Sequence, residues 1–335
     1  MRPVLRRAAL GAACVCALVL AGCGRHAAPD TPITFAPADT PYLFANFKGA
    51  PEDVTTAWGQ ANDAVMAARI QQLGTMAEAV GHRNPAIAKI LNAVQAELAD
   101  VHSGKDLAQT TGFSQSSLYA FYGIGDVPVA RIELASPEAF NAFWARVEKR
   151  AGITAPTATL DRQTYRVLGG ADTKLHVLVA VEGKQLVVTL APAKAGQEML
   201  KQLLGLAKPS GNASGRLADI NNRHGYSDYG SGFIDLPKLF ANFYDGKDAI
   251  TREFATDMGG AALADPACAG EFASLASQAP LASVGFQTYS AKEIRSSLDV
   301  NLSSSLLGAL AALKQPVPGM DEASNDSVFD MVVAL

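Results

Sequence analysis

Two adjoining segments, Leu175 to Val181 and Gln185 to Leu190, are apolar on both faces and separated only by Glu182-Gly183-Lys184. Short, valine-rich runs joined by so few residues read as the two arms of an antiparallel hairpin. Neither face of the hairpin is polar. It therefore belongs inside a sheet covered on at least one side, and the rest of the chain must supply neighbouring strands and covering helices.

Those parts are present. Tyr42 to Phe47 is a short aromatic-rich strand. Leu118 to Gly123 and Val127 to Leu134 form a strand pair around Gly125-Asp126, and Tyr165 to Leu168 is a further strand. Helical spacing appears at Val54, Trp58, Ala61 and Val65, and again at Ile87, Ile90, Leu91, Val94, Leu98 and Val101. With Gly81-His82-Arg83-Asn84-Pro85 between them, residues 51–103 read as a helical hairpin. Ser136-Pro137 caps a helix with Phe140, Phe143, Trp144 and Val147 on its apolar face; proline suits a first turn where its missing N–H costs nothing. A helix at 195–207 turns Leu200, Leu203 and Leu204 inward, and 235–278 is mostly helical.

The predicted fold class is α+β, mainly antiparallel sheet with packed helices and an N-terminal helical hairpin. A weak internal ββαβ duplication is expected. Strand, strand, Ser-capped helix and strand at 117–168 recur at 283–335, as Val284–Tyr289, Ile294–Leu302, a helix from about Ser304 and Val328–Leu335. The repeated pentapeptide Leu-Phe-Ala-Asn-Phe at 43–47 and 239–243 is no support for it, since the first copy reads as extended and the second as helical. The predicted organisation is a leader at 1–22, a flexible tether at 23–40, an α+β lobe at 41–210 and a helix-rich α+β lobe at 211–335. Asp330 to Leu335 reads as a strand with no turn after it, so the second lobe is expected to be incomplete.

The chain carries few signs of chemistry. Its five histidines (His26, His82, His102, His176 and His224) have no second ligand at metal-binding spacing, so no metal and no cofactor are expected. Tyr229-Gly230-Ser231-Gly232-Phe233 lacks the outer glycines of a nucleophile elbow. Gly123-Ile124-Gly125 precedes a strand, where no helix N-terminus can hold a phosphate. No catalytic residue is assigned. One polar cluster is denser than its surroundings, and Arg223, His224, Tyr226, Asp228 and Tyr229 within it are the candidate contacts for a ligand or partner. A solvated helix-to-strand connection is the simpler reading of the same cluster.

The start of the chain is a different kind of sequence. Arg2, Arg6 and Arg7 precede an apolar run from Ala8 to Leu20, with no acidic residue. The run is shorter than the roughly 20 residues a membrane-spanning helix needs, and it has the layout of a secretory signal. Without residues 1–22 the chain is strongly acidic and has no basic block, which argues against nucleic acid and against capture by anionic lipid. No later apolar segment reaches about 18 residues, so the body is expected to be water-soluble. The leader removes Cys14 and Cys16, leaving Cys23 and Cys268. In an oxidising compartment Cys268 is then buried as a small hydrophobe, paired to another chain, or paired to a residue beyond Leu335.

Leu20-Ala21-Gly22-Cys23 resembles the lipobox of bacterial lipoproteins. That resemblance implies cleavage before Cys23, a diacylglycerol on its sulfur and a further palmitate-type chain on its new amino group; two or more acyl chains anchor a protein stably. Gly24 stands where aspartate would imply inner-membrane retention, so outer-membrane anchoring facing the periplasm is expected. Pro37-Ala38-Asp39-Thr40-Pro41-Tyr42, Gly123 to Leu134 and the central hairpin are similar to a family of uncharacterised bacterial envelope lipoproteins. The family implies no catalytic residues, and its members run longer than this chain. The functional expectation is a membrane-anchored, non-enzymatic protein that binds an envelope protein or ligand. The alternative is a periplasmic hydrolase whose active-site residues assemble only in the fold.

Overall fold

The computed structural model describes residues 30–82, 84–169, 173–245, 250–252 and 266–312. The fold is α+β. Ten strands form one antiparallel sheet: β1 (Tyr42–Ala45), β2 (Tyr119–Ile124), β3 (Val127–Glu133), β4 (Thr157–Leu160), β5 (Gln163–Leu168), β6 (Leu175–Glu182), β7 (Gln185–Pro192), β8 (Ser231–Asp235), β9 (Leu281–Tyr289) and β10 (Ile294–Asn301). Their order across the sheet is β10-β9-β8-β1-β2-β3-β7-β6-β5-β4. The helices are α1 (Glu52–Ala57), α2 (Gly59–Gly81), α3 (Pro85–Glu97), α4 (Gly104–Thr111), α5 (Pro137–Ala151), α6 (Gln197–Leu204), α7 (Ser214–His224), α8 (Leu236–Asp245), α9 (Pro266–Gln278) and α10 (Ser304–Ala312).

The central hairpin explains the two-layer covering. Alternate residues of β6 and β7 point to opposite faces. Leu178, Ala180 and Val187 join a core that includes Leu203 and Leu204 of α6 and Leu217 and Ile220 of α7. Val179 and Leu186 join a second core on the other face, with Ile90 of α3 and Phe140, Phe143, Trp144 and Val147 of α5. Ser136 caps α5 as its sequence dictates: its hydroxyl accepts a bond from Ala139 N at 3.0 Å. Helices α2 and α3 form the hairpin expected within 51–103, and α4, which had no clear periodicity, follows it.

The sheet reads outward from the β1/β8 pair in two matching directions. β1 is followed by β2 and β3 on one side, and β8 by β9 and β10 on the other. Each strand pair leads into a serine-capped helix: Ser303 accepts from Leu306 N at 3.1 Å at the start of α10, as Ser136 does for α5. Leu43 sits opposite Phe233 across the central pair and opposite Tyr122 on its other side. Beyond β3 the sheet continues through β7, β6, β5 and β4, whereas among the described residues β10 has no outer neighbour. Because β1 and β8 are hydrogen-bonded, one sheet crosses the expected lobe boundary at 210/211.

Residues 30–40 differ from the expected tether. Pro32–Phe35 is a turn of 3-10 helix, and Ile33, Phe35, Ala36 and Thr40 are buried. Ala38 N bonds to Gly211 O and Ala213 N to Ala36 O, while Lys208 pairs with Asp30 at 2.6 Å. Ile33 and Phe35 enter the core singly from an irregular segment, so no periodic pattern reports their burial. Cys23, the side chain of Cys268 and the expected strand at 328–335 lie outside the described residues.

Candidate functional site

The five candidate residues run from the last turn of α7 to the loop before β8, but they do not converge. Arg223 is exposed, and its Nε donates to Asp219 O one turn back at 3.3 Å. Asp228 pairs with Lys48 at 2.9 Å on the surface, and its carbonyl accepts from the backbone of Phe47 and Lys48. That carbonyl ties the α7–β8 connection to the end of β1.

His224 and Tyr226 lie on the α7 side of the sheet. Their rings stack with centroids 5.4 Å apart. The Tyr226 hydroxyl donates to Asp299 of β10, and the Ser297 hydroxyl donates to the same carboxylate at 3.0 Å. His224 Nδ1 is 3.5 Å from Asp299. These hydrogen bonds, that of Tyr226 foremost, hold the Asp299 carboxyl below the usual aspartate range. Burial, then the bond to Asp299, raises the Tyr226 phenol. Gly285 makes the arrangement sterically possible: a Cβ there would lie 2.4 Å from Tyr226 Cγ.

Tyr229 turns to the opposite face and enters an aromatic cleft of about 300 Å³ with Tyr119, Phe286 and Tyr289. Tyr289 packs against Tyr229 at 5.3 Å between centroids and against Phe286 at 5.0 Å. The strand ends bearing these rings are fixed by side-chain bonds. Asn46 donates to Ser117 O and accepts from Tyr119 N, at 3.1 and 2.8 Å. Trp58, between α1 and α2, donates to Ser290 O at 2.9 Å. Burial raises the Tyr119 phenol, with Tyr289 adding to it, and burial raises Tyr289 as well. Both stay neutral at pH 7, able to donate and accept. Among the described residues no charged side chain lines the cleft. Apolar rings beside neutral polar tips favour association with an uncharged partner surface.

A larger cavity, about 610 Å³, lies beside Phe35, Asp39, Ile124 and Lys208. Its one aromatic ring among the described residues, Phe35, is already in contact with the Arg131 guanidinium and lies 5.9 Å from the Lys208 ammonium. No group of three His, Cys, Asp or Glu residues that could hold a metal occurs among the described residues. No helix among them is long and apolar enough to cross a membrane.

No family model, curated protein or solved structure matches this chain. The cleft must therefore be read from its own geometry. Sequence reading found Tyr229 and missed its three companions. Tyr119 lies in β2 and Phe286 and Tyr289 in β9, strands far apart in the chain, where an aromatic residue reads as ordinary strand core. Asp299 was likewise invisible as the partner of His224 and Tyr226. The one available signal was alternation: Tyr119 and Phe121 share a strand face and both remain exposed.

Proposed function

We propose that this protein is a lipid-anchored binding protein of the bacterial outer membrane, facing the periplasm, and that the cleft of Tyr119, Tyr229, Phe286 and Tyr289 receives its partner. The anchor rests on the charged leader and on Leu20-Ala21-Gly22-Cys23. The binding role rests on one observation: four aromatic side chains from three separate parts of the chain meet in an open cleft lined by no charged side chain among the described residues. Half-buried aromatics that converge in this way are typical of contact sites, and tyrosine supplies contact area at low entropic cost.

The contact between His224 and Asp299 is the arrangement nearest to acid–base chemistry. Asp299 also accepts from Tyr226 and Ser297 and is held below the usual range. Neither His224 nor Asp299 lines the cavity of about 610 Å³ or the aromatic cleft, so the pair faces neither of these spaces. The binding reading is therefore preferred over hydrolysis.

The test is affinity capture from envelope extracts with the full-length lipidated protein, alongside Cys23→Ser and Tyr229→Ala/Tyr289→Ala variants. The expected result is a partner retained by the wild type and lost with the tyrosine pair, together with mass-spectrometric detection of acyl chains on Cys23. Turnover of an envelope substrate with no partner retained would overturn the binding role. An unmodified Cys23 in the mature product would overturn the anchor.

A further inference from the structure

Among the described residues the sheet extends unequally to the two sides of its pseudo-symmetric centre. β3 carries β7 on its outer edge, while β10, its counterpart, carries no strand among the described residues. An eight-residue edge strand presents a row of backbone donors and acceptors to any strand that fits. β10 contains neither proline nor lysine, two residues that commonly protect such edges. Its exposed face is apolar: Leu298 is 70 % exposed and Val300 45 %. Leu307 of α10 is also exposed.

The sequence of β10 complements itself. Written antiparallel to a second copy with Ser297 on the two-fold axis, Ile294-Arg295-Ser296-Ser297-Leu298-Asp299-Val300 places Arg295 opposite Asp299 in both directions. The same register sets Ile294 opposite Val300 and Ser296 opposite Leu298. Directly opposed residues of an antiparallel pair have Cβ atoms about 5 Å apart, close enough for charge and apolar pairing to count. Side chains of equal parity stay on the same face, so the apolar residues meet one another and the charges meet one another. Arg295 already pairs with Glu293, and Asp299 already accepts from Tyr226 and Ser297, so the contact across the axis would be an added one, made through the surface that both side chains still expose. Within the molecule β1 and β8 already pair antiparallel across the pseudo-two-fold.

We propose that β10 is a dimerisation edge, on which a second copy of this chain adds its own β10 antiparallel about Ser297 and joins two ten-stranded sheets into one. The isologous geometry matches the commonest symmetry of homo-oligomers. The prediction is sharp in position. Residue 297 faces itself across the axis, at a separation a disulfide can span, whereas residue 296 is displaced from its own copy.

The experiment is disulfide trapping in the full-length protein, with Ser297→Cys and Ser296→Cys compared in the envelope under mild oxidation. The expected result is a band at twice the mass of one chain for Ser297→Cys, absent for Ser296→Cys and wild type. Adding Leu298→Lys to Ser297→Cys should abolish it, and Arg295→Asp should weaken it by setting like charges opposite. Far-ultraviolet circular dichroism checks that each variant keeps the fold. Hydrogen exchange at β10 reads the same edge without mutation. Slow exchange in a protein that sediments as a monomer would mean that residues after Ala312 cover the edge, and the proposal would fail. Equal trapping at 296 and 297, or none at 297 with the fold intact, would also overturn it.

Discussion

The guanidinium of Arg131 lies over the ring of Phe35, with its central carbon 3.5 Å from the ring centroid. Arg131 is fully buried on β3, donates to Glu182 of β6 and to Leu204 O at the end of α6, and its remaining N–H groups have no partner. One cation thus joins the N-terminal segment, the sheet and α6. Breaking a buried pair from one side costs about 3–5 kcal/mol, because it leaves a charge without compensation. Glu182 is partly exposed, so the low end applies. Glu182→Ala should cost about 3 kcal/mol in urea unfolding. Arg131→Met, which removes the buried charge and keeps most of the volume, should cost less. The reverse order would show that the charge pair is not what holds the segment.

Tyr226→Phe tests the origin of the Asp299 shift. The hydrogen bond from Tyr226 is the largest influence lowering that carboxyl. Its removal should bring the Asp299 titration, followed by carbon-13 NMR, up toward the ordinary aspartate value, while His224→Gln should move it less. A larger effect from His224→Gln would reverse the assignment.

Glu97 links α3 to α5 through Arg146 and Arg150, at 2.9 and 2.6 Å. The bond from Arg150 is the leading influence holding its carboxyl below the ordinary 4.5. A carboxyl with a lower pKa in the folded state contributes fully above its unfolded value and fades as pH falls through the folded one. Both arginines are about half exposed, so Glu97→Gln should cost no more than about 1 kcal/mol at pH 7. The difference from wild type should shrink as pH falls below 4.5. A cost that does not change with pH would point to packing instead of charge.

Gly230→Ala should disturb the cleft without replacing any of its rings. A Cβ at this position would lie 3.0 Å from the Phe286 ring and 3.2 Å from the Tyr119 hydroxyl. Overpacking of this kind costs about 1–3 kcal/mol. Near-ultraviolet circular dichroism should report the displaced aromatics while the far-ultraviolet spectrum is kept. An unchanged near-ultraviolet signal would mean that the rings have room to spare.

What the sequence revealed follows the range of the interactions involved. The β6–β7 hairpin, the α2–α3 hairpin and the cap at Ser136 are set by neighbours a few residues apart, and each was legible. β4 was missed because its turn uses Asp161 and Arg162 at positive φ, where glycine or asparagine is the usual marker. Ile33 and Phe35 looked like parts of a linker because irregular segments carry no period. Nothing in the sequence marks Arg131 as buried, because its counter-charge is supplied by Glu182, 51 positions away. The cleft was least visible, since its rings come from β2, the loop before β8 and the end of β9.

The packing of Asp30 to Thr40 bears on how far an acylated Cys23 would let the body travel. Seven backbone steps lead from Cys23 to Asp30. Fully drawn out, they reach about 25 Å. A ten-stranded sheet, at close to 4.8 Å per strand, is some 45 Å broad. A leash shorter than the object it holds leaves no freedom to roam: such a molecule would work pressed against the lipid surface, and whatever it meets would have to come there.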